Sequence, residues 1–163
     1  MKYGDNLAEP QKLERFSGAR VLVREILGKK PTSFHAAFTD QTAIYNKSVL
    51  HVILKNKEDE LDDHMKALCL ILNSSLGDWI ITTIGRKSQR SIFRKIVNAD
   101  LQDFPIPHSF EDSALELSKE YAIINSAISN NQLKKVDKLQ HKINRLVSES
   151  YSLPKHLIKL MKQ

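Results

Sequence analysis

Apolar residues are spaced in two different ways along this chain, and the change between them limits the fold more than any other feature. Before about residue 60 they alternate or run in short β-branched stretches, and from residue 61 they recur every three or four positions. Strands first and helices afterwards predict an α+β chain: an N-terminal antiparallel β-rich part with a packed helix, then a C-terminal helical part. The strongest strand signal is Arg20-Val21-Leu22-Val23-Arg24-Glu25-Ile26-Leu27, which stops at Gly28-Lys29-Lys30-Pro31, where glycine and proline mark a turn. Ser33 to Thr39 and Ser48 to Lys55 are two more predicted strands. In the second, Val49, His51 and Ile53 share one face and Leu50, Val52 and Leu54 the other, so both faces are expected to be largely buried. His51 reads as a hydrogen-bonded core or edge residue, with a catalytic or metal role as the sharper alternative.

Leu61, Met65, Leu68, Leu72 and Leu76 form an apolar stripe at helical spacing, and Leu70 and Ile71 flank it, so the helix is expected to pack on more than one side. The acidic run of Glu58, Asp59, Glu60, Asp62 and Asp63 precedes or opens that helix, where acids complement the helix dipole without any metal. The helix is expected to end near Asn73 to Gly77. Further on, Ser109 with Asp112 resembles a capping box, followed by a stripe of Leu117, Tyr121, Ile124 and Ile128. After Ser129-Asn130-Asn131 a second helix turns Val136, Leu139, Ile143, Leu146 and Val147 inward, with Lys134, Lys135, Asp137, Lys138, Lys142 and Arg145 outward. Pro154 suits the first turn of a short third helix.

Residues 78 to 107 differ from both halves. Between Trp79 and Ala99 there is no acidic residue, while Arg86, Lys87, Arg90, Arg94 and Lys95 give the segment a charge of +5. Gly85 opens this basic stretch, and Phe93-Arg94-Lys95-Ile96-Val97 reads as a strand that anchors a basic loop. Pro105-Ile106-Pro107 then holds the chain extended. The whole chain carries +6, distributed as 0 over residues 1–78, +5 over 79–99, −5 over 100–131 and +6 over 132–163. A basic excess suits a polyanionic partner, and it equally suits a solvated strand edge.

The absences are as informative. Glycines at 4, 18, 28, 77 and 85 are too far apart for a phosphate-cradling loop or a dinucleotide fingerprint. Histidines at 35, 51, 64, 108, 141 and 156 and the single Cys69 show no zinc-ligand spacing. Cys69 lies within the apolar helix and reads as an inert buried thiol. With one cysteine, no leader pattern in Met1 to Asn6 and no run long enough to span a membrane, a reducing cytoplasm is the expected setting. A length of 163 residues without internal repeats or a long linker predicts one domain over 1–163, with a mixed β/α core and basic loop over 1–107 and helices over 108–163. No catalytic or metal-binding residues are assigned.

Several short pieces, in order, resemble one family. They are Tyr3-Gly4, then Phe16-Ser17-Gly18-Ala19-Arg20-Val21-Leu22-Val23-Arg24, then Leu70-Ile71-Leu72-Asn73-Ser74, then Phe93-Arg94-Lys95-Ile96, then Leu101 to Pro107 ending Phe-Pro-Ile-Pro. Ile143-Asn144-Arg145-Leu146-Val147 with Tyr151-Ser152-Leu153 is similar to the closing helix of the same domains, with Ser152 where glycine is common. The set resembles the C-terminal target-recognition, or specificity, domain of Taq-type DNA adenine-N6 methyltransferases and fused type II restriction-modification enzymes. The resemblance implies a bacterial DNA-binding module detached from its catalytic half. It implies that double-stranded DNA and that catalytic methyltransferase or endonuclease domain are the partners. No cofactor is expected in this chain, since S-adenosylmethionine would bind the missing half, and no membrane is involved. Arg86, Lys87, Gln89, Arg90, Arg94 and Lys95 are the first candidates for DNA contact, with Arg24, Lys29, Lys30 and Lys47 as secondary ones. The alternatives are a protein-interaction or assembly module built on the C-terminal helices, and a small enzyme with a pocket at His35 and His51.

Overall fold

Arg20–Arg24 (β1) is the middle strand of a three-stranded antiparallel sheet in the computed structural model, which describes residues 11–29, 33–54, 61–90, 93–154 and 156–157. Ala36–Thr39 (β2) lies on one side, in a register that pairs Val21 with Phe38, and Val49–Val52 (β3) lies on the other, pairing Leu22 with His51. Val21 and Val23 point into the core and are fully buried, as alternation requires of a strand covered on one face. All three strands are shorter than their sequence signals. Glu25 to Leu27 and Ser33 to His35 continue the pairing only through single hydrogen bonds and one bridge. The expectation that both faces of the third strand are buried is corrected: every residue of β3 is half-buried, because β3 is an edge of the sheet.

Leu61–Leu72 (α1) is the central helix. Met65, Leu68 and Leu72 are buried together with Ala67, Cys69, Leu70 and Ile71, because α1 packs against β1 and β2 and also against the first C-terminal helix. Asp62 and Asp63 lie in its first turn, where Asp63 accepts a hydrogen bond from Ser118 Oγ; Glu58 to Glu60 lie outside the described residues. The helix stops at Leu72, and Leu76, expected in its stripe, belongs to a second helix, Ser75–Ile84 (α2), set at 68° to the first. Ser74 makes this corner. Its Oγ accepts from the Gly77 amide at 3.0 Å, capping α2, and donates to Ile71 O at 2.6 Å, closing α1. Position 77 has to be glycine here, since a Cβ would stand 2.3 Å from Ile71 O.

Asn98–Gln102 (α3) is a single short turn of helix, followed by the extended Pro105-Ile106-Pro107. Phe110–Ser129 (α4) and Leu133–Ser150 (α5) follow the predicted stripes through Leu117, Ile124, Ile143 and Val147. Two expectations for α4 fail. Ile128 is 56 % exposed because Ala127 takes the inward position, and Ser109 does not cap its helix but donates through Oγ to Ser150 O at 2.8 Å. Beside that bond Tyr151 Oη donates to Pro105 O at 2.6 Å, so the end of α5 is tied to the start of α4. His156 and Leu157 are helical, in agreement with a turn starting at Pro154. One continuous core runs from Val21 and Val23 through α1, α2, Ile96 and Phe104 to Val147. Among the described residues no single helix is long and apolar enough to cross a membrane.

Candidate nucleic-acid interface

The C-terminal end of β1 gathers segments that are far apart in sequence. Arg24 N donates to His35 O at 3.0 Å and Glu25 N to Ser48 O at 2.9 Å, which brings the ends of β2 and β3 alongside. Leu27 N then donates to Arg94 O at 3.0 Å and Ile96 N to Glu25 O at 3.0 Å, around an antiparallel bridge between Ile26 and Lys95. The strand expected over 93–97 is therefore reduced to this bridge. Phe93, at φ 52°, is in the left-handed region, which no strand residue adopts.

The described part of the expected basic loop, from Gly85 to Arg90, is a tight turn folded back on the end of α2. Gly85 closes α2, and a Cβ there would lie 2.5 Å from Ile81 O. Buried Ser88 holds the turn by donating through Oγ to Gly85 O at 2.8 Å and Thr82 O at 3.0 Å, and the Gln89 side-chain amide also donates to Thr82 O. Arg94 Nε donates to Ser88 O at 3.0 Å, and Lys95 N to Lys87 O at 3.3 Å. Lys95 Nζ lies 2.8 Å from Glu25 Oε1.

Arg86 is engaged most fully. Its Nη1 is 3.1 Å from Asp100 Oδ1 and its Nη2 2.6 Å from Asp103 Oδ2, and hydrogen bonds to these two carboxylates raise its pKa further. Asp100 is buried, and its Oδ2 also accepts from Val97 N at 2.8 Å, fixing the first turn of α3. That carboxylate explains the short helix α3, for which no sequence expectation was formed.

The remaining candidates differ in what they have to spare. Arg24, Lys29 and Arg90 are exposed and Lys87 half-buried, and none of the four has an ion-pair partner among the described residues. Lys47 is exposed in the turn leading into β3, next to Ser48 and so to Glu25; Lys30 lies outside the described residues. The register brings Arg24, Lys29 and Lys47 to one end of the sheet, and the bridge at Ile26 with the bonds from Leu27 N and Lys95 N adds Arg94, Lys95 and Lys87, with Arg90 following in the same turn. The second basic stretch behaves as an exposed helix face: Lys134, Lys135 and Lys138 are exposed, Lys142 lies 2.6 Å from Glu120 and Arg145 3.8 Å from Glu149.

Groups with other chemistry lie apart. The Cys69 thiol is buried and pushed up to about 12 by desolvation. His35 is exposed beside β2 while His51 is on β3, on the opposite side of β1, its pKa lowered by burial and by the Arg15 and Arg20 charges. Arg20 is a feature that charge and composition did not suggest. It is fully buried, and its guanidinium donates to Gly18 O at 2.9 Å and Arg15 O at 2.5 Å, pinning the turn at Gly18, φ 84°, that leads into β1.

No curated protein matches the chain. Residues 2–106, more than half of it, match the TaqI-like C-terminal specificity domain. That span takes in the whole sheet, α1, α2, the basic turn and α3, and the chain therefore belongs to the TaqI-like C-terminal specificity domain family.

Proposed function

We propose that this chain is a sequence-specific double-stranded DNA-binding specificity domain, without chemistry of its own, that directs a methyltransferase or endonuclease domain of a restriction-modification enzyme. Membership of a specificity-domain family supports a DNA-recognition role in such enzymes. The observation that carries the reading is that Arg24 at the end of β1, Lys29 beyond it, Lys87 behind Lys95 and Arg90 in the same turn have no ion-pair partner among the described residues, while the acids Glu25, Asp100 and Asp103 are already paired within the fold. Unpaired cations on a framed surface anchor phosphates, and exposed arginine also reads base edges. Arg86, Arg94 and Lys95 act as positioning residues for that surface, because their bonds hold the turn against Glu25, Ser88 and Asp100.

The test is duplex binding as a function of salt. The wild-type chain binds with a steep negative slope, and Lys87→Ala with Arg90→Ala lowers the slope by roughly two units. Salt-independent binding, or no binding, overturns the reading. A partner-docking role has its own support in Leu115 and Ile123, exposed on α4 at positions that share one helix face. On that reading α4 seats the catalytic domain, and Leu115→Asp would weaken that association and leave DNA binding intact.

A further inference from the structure

We infer that Phe93 is a base-stacking side chain presented to duplex DNA, a role that rests on the DNA-binding reading above. Phe93 is 77 % exposed, more than any other large apolar residue among the described residues. Its backbone stands at φ 52°, where glycine or asparagine is at ease and an aromatic residue is not. Neither burial nor turn geometry explains a phenylalanine at this position, and strained residues of this kind collect where a side chain has an external task.

The surroundings say which task. Phe93 stands between Arg90 and Arg94 in a stretch that has no acidic residue from Trp79 to Ala99, so an approaching partner meets positive charge around an apolar plane. That combination suits a polyanion carrying flat rings, which is a nucleic acid. The residues immediately after Phe93 are pinned, Arg94 through Ser88 O and Leu27 N, and Lys95 through Glu25. The ring is thus carried on a fixed backbone at the sheet end where Arg24 and Lys29 also lie, and it stacks on a base as those charges engage the phosphates.

The test compares the full chain with Phe93→Ala, Phe93→Leu and Phe93→Gly on short random-sequence duplexes, perfectly paired or carrying one central mismatch, which makes unstacking easier. The wild-type chain favours the mismatched duplex by about fivefold or more, and all three variants lose that preference with the salt slope unchanged, since the ring carries no charge. Phe93→Gly keeps or raises the thermal midpoint, because glycine accepts the left-handed backbone. Salt-dependent wild-type binding without a mismatch preference overturns the stacking role, as does wild-type behaviour of the leucine or alanine variant. A lowered midpoint in the glycine variant likewise overturns it, by showing a packing role. Absence of salt-dependent binding by the wild-type chain sinks the underlying DNA reading instead.

Discussion

Arg86 and Asp100 are joined twice through one oxygen: Asp100 Oδ1 accepts from the Arg86 backbone amide and from Nη1, each at 3.1 Å. The two bonds make a buried carboxylate the fixed point of the basic turn, and the consequences for stability and for binding separate. Asp100→Ala removes these bonds and the one from Val97 N, and costs about 2 kcal/mol or more in urea unfolding. Arg86→Ala costs less, because the carboxylate retains both backbone donors. If Arg86→Ala were the more damaging of the two, Asp100 would not be the anchor.

Asn73 pairs with Ala36 as a strand would, its Oδ1 accepting from Ala36 N at 2.9 Å and its Nδ2 donating to Ala36 O at 2.8 Å. β2 is a sheet edge, and this amide occupies backbone groups that would otherwise be open. Asn73→Asp replaces a donor by an acceptor opposite Ala36 O and is expected to destabilise by about 2 kcal/mol. Unfolding midpoints for Asn73→Asp and Asn73→Ser measure this, and a neutral aspartate variant would refute the pairing.

The Cys69 thiol is held neutral well above its usual range, at about 12 against 9.0, by burial first. A group whose folded pKa is raised contributes stability that is complete below 9.0 and lost as pH climbs toward about 12. The wild-type chain therefore loses stability across that window, and Cys69→Ala flattens the loss. A thiol reagent at pH 8 labels Cys69 only at the rate of global unfolding.

His51 titrates in the opposite sense. Its folded pKa is depressed, by burial and then by Arg15 and Arg20, so its contribution is complete above 6.5 and declines as pH falls below that value. His51→Gln removes this part of the acid sensitivity. Thermal midpoints at pH 5 and pH 7.5 check it: an unchanged difference between the two would place the acid sensitivity elsewhere.

The parts of the fold that sequence reveals are those in which a residue's neighbours along the chain decide its place. Val21 and Val23 mark β1, and Leu117, Ile124, Ile143 and Val147 mark α4 and α5, because periodicity alone assigns them to a face. Helix α2 was hidden by its own basic sequel, although Ser74 followed by Asp78 in the first turn is a helix-start signal that could have found it. The function of Asp100 was not legible, since it depends on Arg86 returning across a turn. Nor was the left-handed backbone of Phe93, which neither propensity nor spacing encodes. Charge singled out the segment from Arg86 to Lys95 as a candidate surface, and the ion pairs of Arg86 and Lys95, which spacing does not encode, distinguish the paired cations from Arg24, Lys29, Lys87 and Arg90.

The bond from Tyr151 to Pro105 also sets a timetable. Its two residues are 46 apart, and at roughly 5–20 residues per second the later one emerges some seconds after the earlier during synthesis. For the first part of that interval α1, a largely buried helix, waits for α4 to cover it, and Ile143 and Val147 close the core only near its end. A nascent chain in this state displays a largely hydrophobic helix to its neighbours, so slow codons within the α4 segment would lengthen its exposure to aggregation and to chaperone capture.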